Sequence, residues 1–450
     1  MAMIEANSEP SMLLESHLFY LPATLTERWN TKDYDIGPAQ ATFDSANDIV
    51  FTIAPSLSEL VSLADIRFKC DLHVTNKDGA DLKDSDCLAP INNILHSLFQ
   101  SVTVSIGGRN VTDTSTLYHY RAYLESLLGF TDQAQKSQLT LSGFALDNNW
   151  EKKPGHVTSA DAAKVNRFCS DGANKRRDWL QNMKPLQLSG KLHCDLFQQE
   201  KPLLPGVELT IKLVRNKNEV VFVADSDSNA PKAVAIRNPR LQVRKFEPSP
   251  DYFTAMSKQL LSNTVKYHIE RVVMREHTLI LGQQQAVWSN IVMGQLPKIM
   301  IFGLVPSRSF AGEYASSPFN FTHCNLTNIV AEIDGQLFPT QGYNLNYEKG
   351  SSIQGYEGLL DTLERLNEGA GELPIDREQY NKGGFCLYGF DFTRGHTGRG
   401  AMSLSRHGNL NIHLKFAKGL EENVVCVAML VFDNVIEINN NRQVIFDFAP

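Results

Sequence analysis

At 450 residues the chain is longer than one comfortable core organises, so two or three domains are expected. With 42% hydrophobic and 21% charged residues it has the composition of a soluble globular protein and offers no case for disorder or a membrane span. The net charge of −7 argues against a nucleic-acid wrapper, which needs a concentrated cationic surface.

In chain order, the N-terminal stretch carries Glu5, Glu9 and Glu15 and no Lys or Arg before Arg28, so it lacks the basic region of a secretory leader. Without that leader the seven cysteines (Cys70, Cys87, Cys169, Cys194, Cys324, Cys386 and Cys426), none in a C-x-x-C pair, are expected to be reduced thiols. By the same reasoning the sequons at Asn110, Asn320 and Asn325 are expected to be unused. The phrase SVTVSIGGRNVTD alternates Val102, Val104 and Ile106 and then turns through Gly107-Gly108, which predicts a hairpin. A helix follows over 120–130, with Tyr120, Tyr123, Leu124, Leu127 and Leu128 on one face. The stretch from about 131 to 185 is polar and pattern-poor, and its basic cluster NKRRDW (174–179) reads as a solvated loop.

Strands are then expected at GKLHCDLF (190–197), VELTIKLVRN, with Leu209, Ile211 and Leu213 alternating, and RLQVRKF (240–246). KFEPSP (245–250) is the clearest proline punctuation in the chain. The helix after it, 249–263, has a Ser N-cap and Pro at its first position. Beyond it lie KIMIFGLV (298–305), apolar on both faces, HCNLTNIVAEIDG (323–335), GFCLYGFDF (384–392), LNIHLKF (410–416) and the long apolar run NVVCVAMLVFDNVIEI (423–438). Many short strands with rare helices argue for β-sandwiches or barrels.

The second half echoes the first. HSLFQSVTVSIGG aligned on HCNLTNIVAEIDG puts His96 on His323, Val102 on Ile329, Ile106 on Ile333 and Gly108 on Gly335. LTIKL (209–213) and LNIHL (410–414) then match in the same order, each after another apolar strand. An internal duplication is expected, with extra residues in the first copy between its two landmarks, at about 131–185.

No catalytic pattern appears: there is no G-x-S-x-G, no phosphate-loop motif and no H-E-x-x-H. A cupin-type metal site needs His-x-His on one strand. None of the twelve histidines has that partner, and Gly408-Asn409 between His407 and His413 reads as a turn. Asp225, Asp227 and Asn229 open like a calcium loop, but Ala230 and Ile236 stand where Gly and Glu belong. RGHTGRG (394–400) reads as a surface loop, and His96, His119, His323 and Trp179 read as packing residues. The chain is therefore expected to have no catalytic, cofactor-binding or metal residues and not to be an enzyme.

Several adjoining phrases carry a resemblance: LHSLFQSVTVSIGGRNV with YHYRAYLESLL, GKLHCDLFQQEKPLLPGVELTIKLVRN, LQVRKFEPSP, GQLPKIMIFGLV, SPFNFTHCNLTNIVAEIDGQLFP and FDNVIEINNNRQV. Together, from about residue 90 to 444, they resemble the hexon-like major capsid proteins of Maverick/Polinton elements and adintoviruses. The resemblance implies an all-β fold of two tandem eight-stranded jelly-roll sandwiches, with a few short helices and long loops. It implies an N-terminal arm (1–16), a first jelly roll (17–248) with 131–185 as an outward-facing insertion, a linker helix (249–263) and a second jelly roll (264–450). It also implies a homotrimer that tiles a virion shell inside the host cell, with penton and minor capsid or cement proteins as partners and no sequence-specific nucleic acid. The alternative readings are a carbohydrate- or receptor-binding β-sandwich and, third, a metal-dependent cupin.

Overall fold

In the computed structural model, residues 30–448 are described apart from 40–47, 77, 84–85, 149–167, 169, 225–230, 232, 367–372, 394–401 and 403–404. Alternating sequences give alternating burial: Arg67–Thr75 turns every second side chain inward. A strand flanked on both sides is apolar on both faces over most of its length, as the stretch 424–432 is between two neighbours before Asp433 and Asn434 interrupt the run.

The principal strands are β1 (Asn30–Ile36), β2 (Ile49–Ile53), β3 (Arg67–Thr75), β4 (Phe99–Ile106), β5 (Arg109–Asn110), β6 (Leu186–Lys191), β7 (Leu209–Arg215) and β8 (Ala233–Glu247). A second set follows: β9 (Val265–Leu279), β10 (Gln285–Gln295), β11 (Ile299–Pro306), β12 (Leu326–Ile333), β13 (Gln336–Asn344), β14 (Leu387–Asp391), β15 (His407–Phe416) and β16 (Val424–Ile438). The first set forms two antiparallel sheets ordered β1-β8-β3-β6 and β2-β7-β4-β5. The second forms β9-β16-β11-β14 and β10-β15-β12-β13, the same orders with every strand advanced by eight. Each set is an eight-stranded jelly roll. The fold is therefore a double jelly roll.

The echo in the sequence is an echo in register. Ile106 faces Leu209 and Val102 faces Leu213 across β4–β7, while Ile333 faces Leu410 and Ile329 faces Leu414 across β12–β15. The two turns match as well: Gly107 and Gly108 have φ of 55° and 79°, Asp334 and Gly335 of 48° and 84°. Two consecutive left-handed residues are what a tight hairpin matched to strand twist requires.

Two expectations shift. The strand expected at 190–197 is β6, Leu186–Lys191, and the apolar residues after it turn into a 3-10 helix at Asp195–Gln198. The basic cluster at 174–179 is no solvated loop but part of a helix, Asp171–Asn182, that buries Arg176 and Arg177. The predicted helix at 120–130 is α1 (Tyr118–Gly129). Helix α2 is Asp171–Asn182, α3 is Pro250–Leu260, and α4 is Ile353–Thr362. At the start of α3 the Ser249 side chain accepts the Tyr252 N–H, and Pro250 takes the position whose N–H would be spare.

Both cores cross from one jelly roll into the other. Tyr267, Ile269, Ile436 and Ile438 of the second complete the core of the first, and Tyr120, Tyr123 and Leu127 of α1 enter the core of the second.

Candidate functional site

The most heavily built region is the seam where α1 meets the second jelly roll. Ten of the twelve residues of α1 are buried. Its tyrosines reach into the connection between β11 and β12: the Tyr123 ring stacks on Phe319 at 4.0 Å and 1°, and Tyr120 on Phe310 at 5.6 Å and 19°. Stacked pairs of this kind add about 0.5–1.5 kcal/mol beyond the area they bury.

The polar side of α1 is tied down by ions. Arg121 donates to Asp195 at 2.5 Å and, one turn on, to Glu125 at 2.8 Å. Asp195 also accepts the backbone N–H of Val272 from β9 at 3.1 Å, which fixes the second jelly roll to the first. Glu125 meets His193 Nδ1 at 2.7 Å. Burial alone would raise the Glu125 carboxyl, but Arg121 and His193 outweigh it and hold it down at about 2. Further seam bonds run from Met274 N–H to Asp113 and from Leu204 N–H to Tyr267 Oη. A buried pair is strongly destabilising to break, so this network fixes geometry; no substrate-facing acid and base stand apart in it.

The histidines singled out in sequence do not converge. His96 lies in the seam, its ring 4.6 Å from that of His193, whereas its twin His323 stacks on Tyr347 at 4.2 Å and accepts the Asn325 N–H on Nδ1. His119 is buried between Tyr120 and Phe319, and burial pushes its imidazole down to about 3. His407 and His413 do share one unbroken strand, so the turn read at Gly408-Asn409 is corrected: those residues pair with Gly294 and Met293 in β15–β10. His413 is bonded to Glu332. Among the described residues no cluster of three or more His, Cys, Asp or Glu is placed to hold a metal. Asp225, Asp227, Asn229, Cys169 and the 394–400 loop lie outside the described residues. Trp179 lies under the Lys175 ammonium at 5.4 Å.

Sequence reasoning missed the Arg121–Glu125–Asp195 network and the Arg176–Asp147 pair. The available signal was charge at i,i+4 spacing inside an otherwise apolar helix pattern, which a solvent-facing helix does not need. Among the described residues no helix is long and apolar enough to cross a membrane.

No protein-family model matches the chain. A curated Caenorhabditis elegans protein, the uncharacterized protein F54H12.2, is 23% identical over 384 residues, which cover 83% of this chain and 87% of that one. Among solved structures, a chain of the Sputnik virophage superposes with a TM-score of 0.62 at 12% identity, covering 100% of this chain and 94% of that one. The mavirus major capsid protein gives 0.53 at 10% identity, with 99% and 96% covered. The Faustovirus major capsid protein gives 0.52 at 9%, with 95% and 94% covered. These likenesses establish the fold: a double jelly roll of the architecture seen in viral major capsid proteins, matched from end to end.

Proposed function

We propose that the chain is the major capsid protein of a double-stranded DNA virus or virus-like element, of the Maverick/Polinton and adintovirus kind, and that it acts by self-assembly rather than catalysis. One observation carries the reading: α1 and α4 occupy the same place in their jelly rolls, between the fifth and sixth strands, yet α1 is buried on nearly every side and α4 on one side only. Helix α4 buries only Gly355, Leu359 and Thr362, with Ile353 51% exposed at its start and Leu366 40% exposed just beyond its end. Repeating the α1 contact around a ring would seat α4 of each copy on the first jelly roll of the next. Three copies then close as six similar lobes, a shape that tiles a hexagonal lattice. In this reading residues 1–16 are an arm, 17–248 and 264–450 the two jelly rolls, and 249–263 their linker. Penton and minor capsid proteins are the further partners, and the virion shell is the location.

Light scattering and electron microscopy of the purified chain test it. The expected result is a stable particle of about three times 50.3 kDa, flat and pseudo-hexagonal, with roughly 2,000 Å² or more buried per pair. A concentration-independent monomer would overturn the proposal.

A further inference from the structure

On the first jelly roll, α1 and the turn at 138–142 stand away from the β3–β6 edge and leave a cleft of about 660 Å³. That lies inside the roughly 300–1,000 Å³ of small-molecule sites. Its walls are mainly aliphatic (Leu124, Leu128, Leu139, Leu192 and, from the second jelly roll, Leu363 and Met429), with Phe130 and the Glu125 carboxylate, held by Arg121 and His193, also on the lining.

Two cations stand on its border. Arg67 and Lys191 face each other directly in the β3–β6 register. Like charges in opposed cross-strand positions repel; both side chains are exposed, and the opposite charge that acts on Lys191 is Asp65. The pair gives this border of the cleft a positive character, offset in part by Asp65 beside Lys191, and an anion placed between the two cations would complete their neutralisation.

A third polar group lines the cleft from below. His96 is 2% exposed and belongs to the lining. Tyr118 Oη accepts the His193 backbone N–H at 3.2 Å, so its own proton goes to His96 Nδ1 at 3.0 Å. Burial keeps this imidazole neutral, which leaves the ring proton on Nε2. Nε2 has no hydrogen-bond partner among the described residues. It lies close under Gly190, where an added Cβ would come within 3.3 Å of it.

We infer that this cleft binds an anionic amphiphile with a single acyl chain, its carboxylate held at Arg67 and Lys191 and its chain laid along the leucine walls. A folded partner element does not fit the volume. The N-terminal stretch, with Met12, Leu13 and Leu14 between Glu9 and Glu15, offers similar chemistry within the chain, and the experiment separates the two.

The full-length protein is stripped of lipid and titrated with 11-(dansylamino)undecanoic acid, followed by displacement with fatty acids and matched alcohols. The expected result is one saturable site per chain, with palmitate displacing the probe at least tenfold better than hexadecanol. Each methylene removed from the competitor should weaken it about fourfold. Replacing both cations (Arg67→Ala with Lys191→Ala) should cost the carboxylate tenfold or more and leave hexadecanol unchanged. Gly129→Trp, on the lining where a Cβ meets nothing within 4 Å, should block both ligands while circular dichroism and light scattering stay unaltered. Absence of saturable binding, or binding indifferent to these variants, overturns the inference. So does binding that emerges only after residues 2–29 are removed, since the chain's own arm would then be the occupant.

Discussion

The connections β5–β6 and β13–β14 occupy equivalent places in the two jelly rolls but are built differently. The first carries α1 and α2, and both are packed down, α1 by the aromatic residues of the second jelly roll and α2 by a buried ion pair. The second carries α4, and there the polar groups sealed inside are neutral: Tyr347 Oη, Cys386 Sγ and Tyr388 Oη bond one another at 2.8–3.2 Å. One copy of the repeat thus has its helix covered on nearly every side within the chain, and the other leaves one side of its helix exposed, with Ile353 and Leu366 at its two ends. The two copies of the duplicated domain therefore bury their equivalent helices unequally.

The largest expected effect comes from the ion pair with no buried counterpart among the described residues of the second connection. Arg176 is fully buried and bonded to both Asp147 oxygens at 2.9 and 3.0 Å, and also to the carbonyls of Pro90 and Ala145. Arg176→Ala leaves two carbonyls without their donor and a buried carboxylate with only the Ser170 hydroxyl, at 2.7 Å, to answer it. A loss of about 3–5 kcal/mol is expected in urea unfolding. A loss under 1 kcal/mol would show that water reaches Asp147 and that the first connection is not sealed.

Next is the contrast between α1 and α4. Tyr123→Ala removes the ring stacked on Phe319 and should cost about 3 kcal/mol, at the lower end for a buried aromatic. The reason is that Tyr123 Oη is itself buried without a partner, so truncation also relieves that penalty; Tyr123→Phe should therefore stabilise. Ile353→Asp on α4 should leave the stability of the isolated chain within about 0.5 kcal/mol while lowering the mass seen by light scattering from trimer to monomer. Equal losses of folding stability from the two helices would abolish the distinction.

How much of this was readable beforehand depends on how local its cause is. The twin hairpins were legible because alternation and a glycine at a left-handed turn position are written within a dozen residues. The position of β6 was misread because Leu192, Cys194 and Leu196 continue its alternation into a turn and a 3-10 helix, where burial comes from packing and not from a ladder. Arg176 was read as solvated because its partner lies 29 residues earlier, beyond any periodicity. The cleft needs β3, α1, β6 and Met429 brought together, and no window of sequence contains that set. Charges are where local reading failed most, since a charge run looks the same whether water or a carboxylate answers it.

A further contrast is in acid. His119, buried on α1 with Nδ1 unpartnered, is held down at about 3 by burial. The unfolded chain takes up a proton there below about 6.5 and the folded chain does not, so this stability is full above 6.5 and is lost as pH falls towards 3. Between pH 7 and pH 5 the loss from this residue is about 2 kcal/mol. His119→Leu should flatten the stability profile by that amount, read as the urea midpoint against pH. A wild-type slope that survives His119→Leu would place the acid-sensitive group elsewhere in the seam.

The smallest effect tests the duplication itself. Gly108 and Gly335 hold the second left-handed position of their turns, with φ of 79° and 84°, and a Cβ at either would meet nothing within 4 Å. With no clash to relieve, the cost of Gly→Ala at each is the left-handed conformation alone, about 1 kcal/mol. The two substitutions should therefore cost the same amount, although Gly108 precedes a two-residue strand and Gly335 a nine-residue one. Because the sites lie in different jelly rolls with no shared partner, the double variant should cost the sum to within about 0.5 kcal/mol. Unequal costs would mean that strand length after the turn, and not turn geometry, sets its energy; the twin hairpins would then be alike in shape and register but not in what holds them.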